Sequence, residues 1–319
     1  MDFDQLTTFI EVVKLGNFSR AGQKVYRSQS AVSAQIRQLE QEYGERLLDR
    51  SGKTVRATPA GQVLFEYANR LLTLRSESMR AVADQGKTPR GVLAIGANEA
   101  TCLYVLPEVF AEYSRRFPQV QISVYRNFSR KILQRVEEGS LDVGVASLPI
   151  KSPSLKVQPI FRDRLMLMVS ARNPLAQHDS VSVNQIAQYP LILPKTGYTR
   201  QMLDKLFRPY DSLQVTMELP SVGMIKSFVV ADVGVSLISS SFAHDEVRSG
   251  EAKLLAIEDV DLWRELGLIY RADRTLPRAA TAFIELILER APDLTRHAAA
   301  KPASKDGGGS RNKLSARTS

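Results

Sequence analysis

Side chains that can hydrogen-bond to nucleic-acid bases cluster in one short segment near the N-terminus. Gln29, Ser30 and Ser33 recur at a spacing that places side chains on one face of a helix, and Arg27 and Arg37 flank them. A glutamine pairs with adenine through two hydrogen bonds, and a serine hydroxyl meets either a base edge or a phosphate. These residue types at this spacing favour a helix that lies in the major groove of DNA.

Two short helices with a tight connection are predicted to position this face. The first helix has Asn17 or Ser19 as its N-cap, and the connection is Tyr26-Arg27-Ser28. The second helix also carries an apolar stripe, formed by Val32, Ile36 and Leu39. Helix pairs of this kind also occur in proteins that never bind nucleic acid. The interpretation as a helix-turn-helix therefore depends on the neighbouring segments, which include an amphipathic helix predicted over residues 3–15.

A basic hairpin, or wing, is predicted directly after the two helices. Two short extended segments flank a glycine turn, and the basic residues on them are Arg50, Lys53 and Arg56. Beside a helix-turn-helix, a basic wing fits contacts with phosphates or with the minor groove. The alternative is a solvated hairpin with charged tips. We predict that residues 1–58 form a winged helix-turn-helix DNA-binding domain.

A long helix is predicted from Pro59 to about Asp84, because proline suits the first turn of a helix. One apolar stripe of this helix consists of Leu64, Ala68, Leu71 and Val82. Tyr67, Leu74 and Met79 lie beside this stripe. One helix cannot bury such a stripe alone, so pairing with a second copy across a two-fold axis is expected. Residues 59–90 are therefore predicted to be a dimerisation helix followed by a hinge.

From residue 91 the pattern changes to strands that alternate with helices, which predicts mostly parallel sheets. Two small α/β units are expected within residues 91–295. Subdomain I comprises about 91–163 and 268–295, and subdomain II comprises about 164–267. Sheets of this kind bind ligands at the carboxyl ends of their strands, and clefts between two units are the usual place.

The composition limits the classes of protein. Hydrophobic residues make up 44% and charged residues 24% of the chain, no run of residues is apolar enough to span a membrane, and the start is not a signal peptide. The single cysteine excludes an internal disulfide and fits a reducing cytoplasm. The net charge of +9 lies in the N-terminal third and in residues 296–319, which we predict to be a disordered basic tail. A neutral body with a basic head suits phosphate contacts by a small module.

Several segments of the chain resemble the LysR-type transcriptional regulators, over essentially residues 2–292. The segments are DFDQLTTFIEVVKLGNFSRAGQKV, SQSAVSAQIRQLE, YGERLLDR, ATPAGQ, LAIGA with VLPEVF, LDVGVA, NPLA and GYTR. The resemblance implies an N-terminal all-α winged helix-turn-helix with a long linker helix. It also implies a two-subdomain α/β effector module resembling type 2 periplasmic binding proteins.

The function implied by this resemblance is sequence-specific transcriptional regulation. Such a protein binds double-stranded DNA at an operator with two half-sites, as a homodimer or homotetramer, and acts together with RNA polymerase at its target promoters. Its activity is modulated by a small-molecule effector bound between the two subdomains. The expected compartment is the cytoplasm, with no membrane partner.

The resemblance identifies Gln29, Ser30 and Ser33 as the residues expected to meet bases or adjacent phosphates, and the basic residues of the helix pair and the wing complete the set expected to contact DNA. The full set is Arg27, Gln29, Ser30, Ser33, Arg37, Arg50, Lys53 and Arg56. Two positions depart from the family pattern. Ala34 stands where the family usually has a basic residue, so one expected guanine or phosphate contact is missing. Either Arg37, Arg27 and the wing compensate, or the operator is read differently at that point. Gly22 stands where the family prefers alanine, at a cost in helix propensity.

The effector site is expected at the ends of the predicted strands. The segment after the first strand contributes Asn98, Glu99, Ala100 and Thr101, and the resemblance adds Asn127, Phe128, Ser129, Tyr198, Thr199, Arg200 and Ser221. Hydroxyl and free N–H groups at helix N-termini can receive a carboxylate or another anion. Glu99 leaves two alternatives open. Its carboxylate either lies in the pocket, where it suits an amine, a neutral ligand or a paired arginine, or caps the helix and faces solvent.

Other chemistries are weighed against this interpretation. Cys102 lies near the same helix start, where the pKa of a thiol can fall, so it is either a redox sensor or an ordinary buried cysteine. An enzyme would need a phosphate loop, a nucleophile elbow or a metal-ligand cluster, and none occurs. A pure solute-binding protein would not need the N-terminal module. We predict no enzyme activity, no catalytic residues, no metal and no cofactor.

Overall fold

A computed structural model describes residues 1–52, 54–83 and 88–299. Its N-terminal part is a three-helix domain with a two-stranded wing. The elements are α1 (Phe3–Leu15), α2 (Phe18–Lys24), α3 (Gln29–Tyr43), β1 (Leu48–Asp49) and β2 (Arg56–Ala57). The strands are antiparallel. The predicted winged helix-turn-helix is thereby confirmed in its element order.

Local capping explains where these helices begin and end. The side chain of Asp2 accepts a hydrogen bond from the backbone N–H of Gln5, and the side-chain oxygen of Gln5 accepts one from the backbone N–H of Asp2. Gly16 and Gly44 end α1 and α3 in the left-handed conformation, with φ of 62° and 67°. Of the two predicted caps for α2, the structure selects Asn17, whose side chain accepts from the N–H of Arg20.

The long helix α4 (Pro59–Ala83) follows the wing directly. It shares one apolar core with the helices before it, consisting of Leu6, Phe9, Ile10, Val12, Ala21, Val32, Ile36, Leu39, Leu47, Leu48, Leu64 and Ala68. The sequence-based assignment of Leu64 and Ala68 to a pairing stripe is therefore wrong, because both side chains are buried within their own domain. The exposed apolar residues of α4 are Val63, Tyr67, Leu71, Leu74, Met79 and Val82.

Two compact units make up the chain. One comprises Met1–Ile160 and Leu266–Arg290, and the other is built on Phe161–Glu265. The first unit continues after α4 with β3 (Gly91–Ala97), α5 (Glu99–Tyr104), α6 (Pro107–Arg116), β4 (Val120–Arg126), α7 (Ser129–Glu137) and β5 (Val143–Ser147). β3 is parallel to both β4 and β5. Two helices lie between β3 and β4, because the chain turns after α5 and α6 begins at Pro107.

The second unit contains most of the remaining elements. They are β6 (Leu155–Ser170), β7 (Ser180–Val181), α8 (Val183–Ile186), β8 (Leu191–Pro194), α9 (Tyr198–Leu206), β9 (Val215–Leu219), α10 (Val222–Val230), β10 (Ser236–Ser239), α11 (His244–Arg248) and β11 (Ala252–Ile257). β6 pairs with β10 and β11, and β8 lies parallel to β9. β12 (Trp263–Arg271) leads back into the first unit, where it pairs antiparallel with β5.

The last described element is α12 (Arg278–Ala299). It includes residues 296–299, so this part of the predicted disordered tail is helical. The rest of that predicted tail, residues 300–319, lies outside the described residues, as do the hinge residues 84–87.

Candidate DNA-binding surface and ligand site

The proposed reading helix α3 is fixed at its start and along its buried side. The hydroxyl of Ser28 accepts a hydrogen bond from the backbone N–H of Ala31 and lies 2.9 Å from the hydroxyl of Ser30. The stripe formed by Val32, Ile36 and Leu39 is fully buried. The hydroxyl of Thr8 on α1 donates to the side chain of Gln35 at 2.8 Å. These contacts determine which face of α3 points outward.

The outward face of α3 carries the residues predicted to meet bases. Gln29, Ser30, Ala34 and Arg37 are exposed, and Ser33 is half-buried. The side chains of Gln29, Ser33 and Arg37 form no hydrogen bond or ion pair with other described residues. Their donors and acceptors are therefore available to an external partner. Ser30 differs, because its hydroxyl is already engaged with the helix cap.

Two of the predicted DNA-binding arginines are held by carboxylates of the same domain. The guanidinium of Arg27 lies 3.0 Å from Asp4, and that of Arg50 lies 2.9 Å from Glu40 and stacks over the ring of Phe18. The second oxygen of Glu40 accepts the backbone N–H groups at the start of the wing. Both arginines are thus pre-positioned, and a phosphate would have to share or replace these carboxylates.

The wing is held to the helices and carries its own internal turn. Asp49 pairs across the strands with Arg56 and accepts hydrogen bonds from the backbone N–H and the hydroxyl of Ser51. These hydrogen bonds, with the charge of Arg56 adding to them, lower the pKa of Asp49. The N–H of Val55 donates to the carbonyl of Gly16 at 2.9 Å. Lys53, the third predicted wing residue, lies outside the described residues.

The turn that precedes α3 explains why position 22 is a glycine. The backbone N–H of Arg27 donates to the carbonyl of Gly22 at 2.8 Å. A Cβ atom at position 22 would lie 2.6 Å from the carbonyl oxygen of Arg27, so a side chain there would push the turn outward. Glycine at position 22 therefore costs helix propensity, as expected from the sequence, but it allows a tighter turn before α3.

Gly61 lets α4 pack against the backbone that leads into the wing. A Cβ atom at this position would lie only 1.9 Å from the carbonyl oxygen of Leu47. Thr58 fixes the same junction, since its hydroxyl donates to the carbonyl of Arg46 at 2.6 Å and accepts from the N–H of Gly61 at 3.0 Å. Its backbone N–H donates to the carbonyl of Leu47. The wing and the start of α4 are therefore in direct backbone contact.

The predicted ligand residues of the first unit meet at one edge of its parallel sheet. Ala97 and Arg126 end β3 and β4 side by side, so the segments that follow them, which begin at Asn98 and Asn127, are neighbours. Asn98 caps α5 by accepting from the N–H of Thr101 at 2.9 Å. At the start of α7, the hydroxyl of Ser129 accepts from the backbone N–H at the end of β5. Phe128 is exposed, and Ala100 is buried.

Thr101 is the most informative residue of this group. Its side chain is fully buried, and its hydroxyl has no hydrogen-bond partner among the described residues. Buried hydroxyl groups are nearly always paired, so an unpaired one next to a candidate ligand site points to a missing partner. The sequence indicated the position of Thr101 but not its unsatisfied state, which only the packing reveals.

Glu99 forms an ion pair and does not cap the helix, and its place in a ligand pocket stays a prediction. Its carboxylate lies 2.8 Å from the guanidinium of Arg126, and the helix cap is supplied by Asn98 instead. Arg126 was missed by sequence reasoning, although it is the last residue of a predicted strand. For Cys102 the expected effect of the helix start is wrong, because burial raises the pKa of its thiol. A raised pKa disfavours the reactive thiolate.

The remaining predicted ligand residues lie together in the second unit. Tyr198 and Thr199 begin α9 after β8, and Ser221 immediately precedes α10 after β9, at the same edge of two parallel strands. Arg200 links α9 to β9, since its guanidinium forms ion pairs with Asp204 at 2.6 Å and with Glu218 at 2.5 Å. The hydrogen bond that Arg200 donates to Asp204, followed by the one that it donates to Glu218, raises the pKa of Arg200.

The part of the chain that the structure describes lacks both metal-ligand clusters and membrane-spanning helices. Among the described residues, no group of three or more His, Cys, Asp or Glu side chains is placed to hold a metal ion. In the same part of the chain, no helix is both long and apolar enough to cross a membrane.

These features define a class of protein: a winged helix-turn-helix regulator joined to an α/β ligand-binding module. The chain belongs to the LysR family of transcriptional regulators. Residues 3–62 match the family model described as a bacterial regulatory helix-turn-helix protein of the lysR family, and residues 86–292 match the LysR substrate binding domain. The protein is therefore a DNA-binding transcriptional regulator with a domain of the effector-binding type.

Known relatives and solved structures agree with this family. A probable RuBisCO transcriptional regulator from Cyanidioschyzon merolae is 30% identical over 293 residues, which cover 89% of this chain and 97% of that protein. Its counterpart from Chlorokybus atmophyticus is 29% identical over 288 residues, covering 88% and 92%. Among solved structures, a full-length OxyR variant from Pseudomonas aeruginosa has a TM-score of 0.65 at 23% identity, covering 90% of this chain and 98% of that one. CbnR complexed with its target DNA has a TM-score of 0.66 at 20% identity, covering 91% and 100%.

Proposed function

We propose that this protein reads its operator through the exposed face of α3 and steadies the complex through the wing. The observation that carries the proposal is the contrast between the two sides of α3. One side is fully buried, and the other presents Gln29, Ser33 and Arg37 with unengaged polar groups. Base specificity is assigned to Gln29 and Ser33. Phosphate contact is assigned to Arg27, Arg37, Arg50, Lys53 and Arg56, with Ser30 beside the helix cap.

Two substitutions separate base reading from phosphate binding. Gln29→Ala is expected to alter base preference at one operator position, because a bidentate contact is worth about 1–3 kcal/mol of discrimination. Arg56→Ala is expected to weaken all sequences alike and to reduce the dependence of affinity on salt by about one counterion per site. Selection of duplexes from a random-sequence library, followed by fluorescence anisotropy at several salt concentrations, measures both effects. An unchanged base preference for Gln29→Ala would mean that a different face of α3 meets the bases.

We further propose that the polar groups at the strand ends bind a small-molecule effector. The candidate residues form two groups, Asn98–Thr101 with Asn127–Ser129 in the first unit and Tyr198–Arg200 with Ser221 in the second. Support comes from the unpaired hydroxyl of Thr101. It also comes from the half-buried Glu99, whose charge is balanced by Arg126. The ligand is proposed to carry a polar group that hydrogen-bonds with Thr101, with Arg200 ordering α9 instead of binding the ligand directly.

The homo-oligomer is proposed to assemble through α4. Its exposed apolar residues are spaced three to five positions apart, and Leu74 is 61% exposed among them. Leu74→Glu is expected to shift the protein to a smaller species, because two charges would face each other in the interface. Gln62→Glu, on another face of the same helix, is the matched control and should leave the mass unchanged. Sedimentation velocity distinguishes the two variants, and an unaltered mass for Leu74→Glu would exclude this interface.

The proposal also covers the partner protein, the compartment and the absence of catalysis, because a transcriptional regulator acts at promoters. We propose that the oligomer acts on RNA polymerase at its promoters, in the cytoplasm where the chromosome is accessible. The α/β module is proposed to sense a ligand and to catalyse no reaction. This is consistent with the regulators named among its relatives. Purified protein should be incubated with each compound that raises its melting temperature in a thermal-shift screen. Mass spectrometry should then find that compound chemically unchanged.

A further inference from the structure

Tyr26 is an exposed aromatic residue in the turn between α2 and α3. Its side chain is 96% exposed, the highest value among the large hydrophobic residues that the structure shows on the surface. Its backbone has a φ of 56°, in the left-handed region that side chains other than glycine rarely adopt. The turn therefore holds a large aromatic ring in solvent where a glycine would be less strained.

The surroundings of Tyr26 connect it to the reading helix. Residues 26–30 are all exposed, so an exposed run of the chain leads from Tyr26 to Gln29 and Ser30. The turn itself is fixed by hydrogen bonds from the N–H of Arg27 to the carbonyl of Gly22 and from the N–H of Tyr26 to the carbonyl of Gln23. These hydrogen bonds hold the backbone of Tyr26 at a fixed place beside the start of α3.

The charge around this position favours a polyanion as the partner of Tyr26. Lys24 and Arg27 lie two residues before it and one residue after it, and both are exposed. The ion pair of Arg27 with Asp4 leaves one net positive charge in this group. A tyrosine suits the sugar–phosphate backbone, because the ring packs on the deoxyribose and the hydroxyl donates to a phosphate oxygen. Apolar protein partners would be disfavoured beside two cations.

We propose that Tyr26 is a positioning residue that packs against the sugar–phosphate backbone of bound DNA and donates a hydrogen bond to a phosphate. The inference rests on the proposed function, since α3 must lie in the groove for the turn to reach the backbone. The contact fixes the depth and angle of α3 and contributes no base preference of its own.

The decisive variant is Tyr26→Gly, because glycine adopts the left-handed conformation without strain. The melting temperature of full-length Tyr26→Gly is expected to equal or exceed that of the wild type. Its Kd for a duplex that the wild-type protein selects from a random-sequence library is expected to rise about tenfold, which corresponds to about 1.4 kcal/mol. Tyr26→Phe keeps the ring and loses only the hydroxyl, so its Kd should lie between these two.

Salt dependence provides a readout that general damage to the domain would change. The phenol is uncharged, so Tyr26→Gly should keep the wild-type slope of log Kd against log salt concentration. Arg27→Ala, which removes a neighbouring cation, should lower that slope by about one counterion per site. Base preference should be the same for Tyr26→Gly and the wild type.

The outcomes separate this inference from the proposed function. A wild-type protein that selects no duplex overturns both. A wild type that selects a duplex, together with a Tyr26→Gly variant that binds it equally well, overturns the role of Tyr26 alone. A weakened Tyr26→Gly variant with a reduced salt slope or an altered base preference also overturns it, because α3 itself has then moved. Tyr26→Asn, which also tolerates this backbone conformation, decides the matter if Tyr26→Gly melts early.

Discussion

Replacing Gly61 with alanine is expected to abolish operator binding and to destabilise the N-terminal domain. The added Cβ atom would lie 1.9 Å from the carbonyl oxygen of Leu47 and 2.9 Å from its carbonyl carbon. Both atoms are backbone, so no change of side-chain rotamer relieves the clash. The N–H of Thr58 donates to the same carbonyl, and this bond would be lost when the chain shifts. The cost is expected at the upper end of the range for overpacked sites, about 3 kcal/mol.

Circular dichroism melts and anisotropy with the selected duplex measure the two effects of Gly61→Ala. Gly52→Ala in the wing is the matched control, because the nearest atom to a Cβ there is 3.8 Å away. The control should melt with the wild type. A Gly61→Ala protein that melts and binds like the wild type would show that α4 and the wing can separate without cost.

Replacing Thr101 with valine is expected to raise the stability of the ligand-free protein and to remove its response to the effector. The hydroxyl of Thr101 is buried without a partner. Burial of an unpaired hydroxyl costs about 1–3 kcal/mol, so its replacement by a methyl group should stabilise the module by about 1 kcal/mol. The same change deletes the group proposed to bind the ligand. Opposite effects on stability and on ligand response are the signature of a binding residue.

A thermal-shift screen tests Thr101→Val with a panel of carboxylic acids, amino acids and sugar phosphates. A compound at one hundred times its Kd stabilises the wild type by about 2.7 kcal/mol, and this shift should be absent in the variant. Thr216→Val, at an exposed position on β9, is the control and should retain the full shift. A hydroxyl that is merely structural would instead give a less stable Thr101→Val protein with an intact shift.

The sequence predicted the N-terminal domain best where the signal is local. The stripe of Val32, Ile36 and Leu39 repeats within one helix, so it indicated both the helix and its buried side. The assignment of α4 failed at Leu64 and Ala68, because this helix has two adjacent apolar faces. Periodicity alone does not distinguish the face that packs on its own domain from the face that awaits a second copy.

Contacts between distant segments were the part that the sequence could not supply. The ion pair between Glu99 and Arg126 joins residues at the ends of two parallel strands, and no spacing along the chain indicates it. Likewise, the missing partner of Thr101 depends on how every neighbouring side chain packs. The break before Pro107 was accessible in principle, since proline often begins a helix.

The backbone contact between α4 and the wing has a mechanical consequence. The first turns of α4 share a core with α3, so α4 and the DNA-binding domain are packed as one unit, and α4 is the arm of this unit. With 25 residues, the arm is about 37 Å long. In an oligomer joined through α4, a tilt of about 10° displaces its far end by roughly 6 Å, close to the rise of two base pairs. A small change in the crossing angle between two copies of α4 would thus change the distance between their reading helices and select operators by the distance between half-sites.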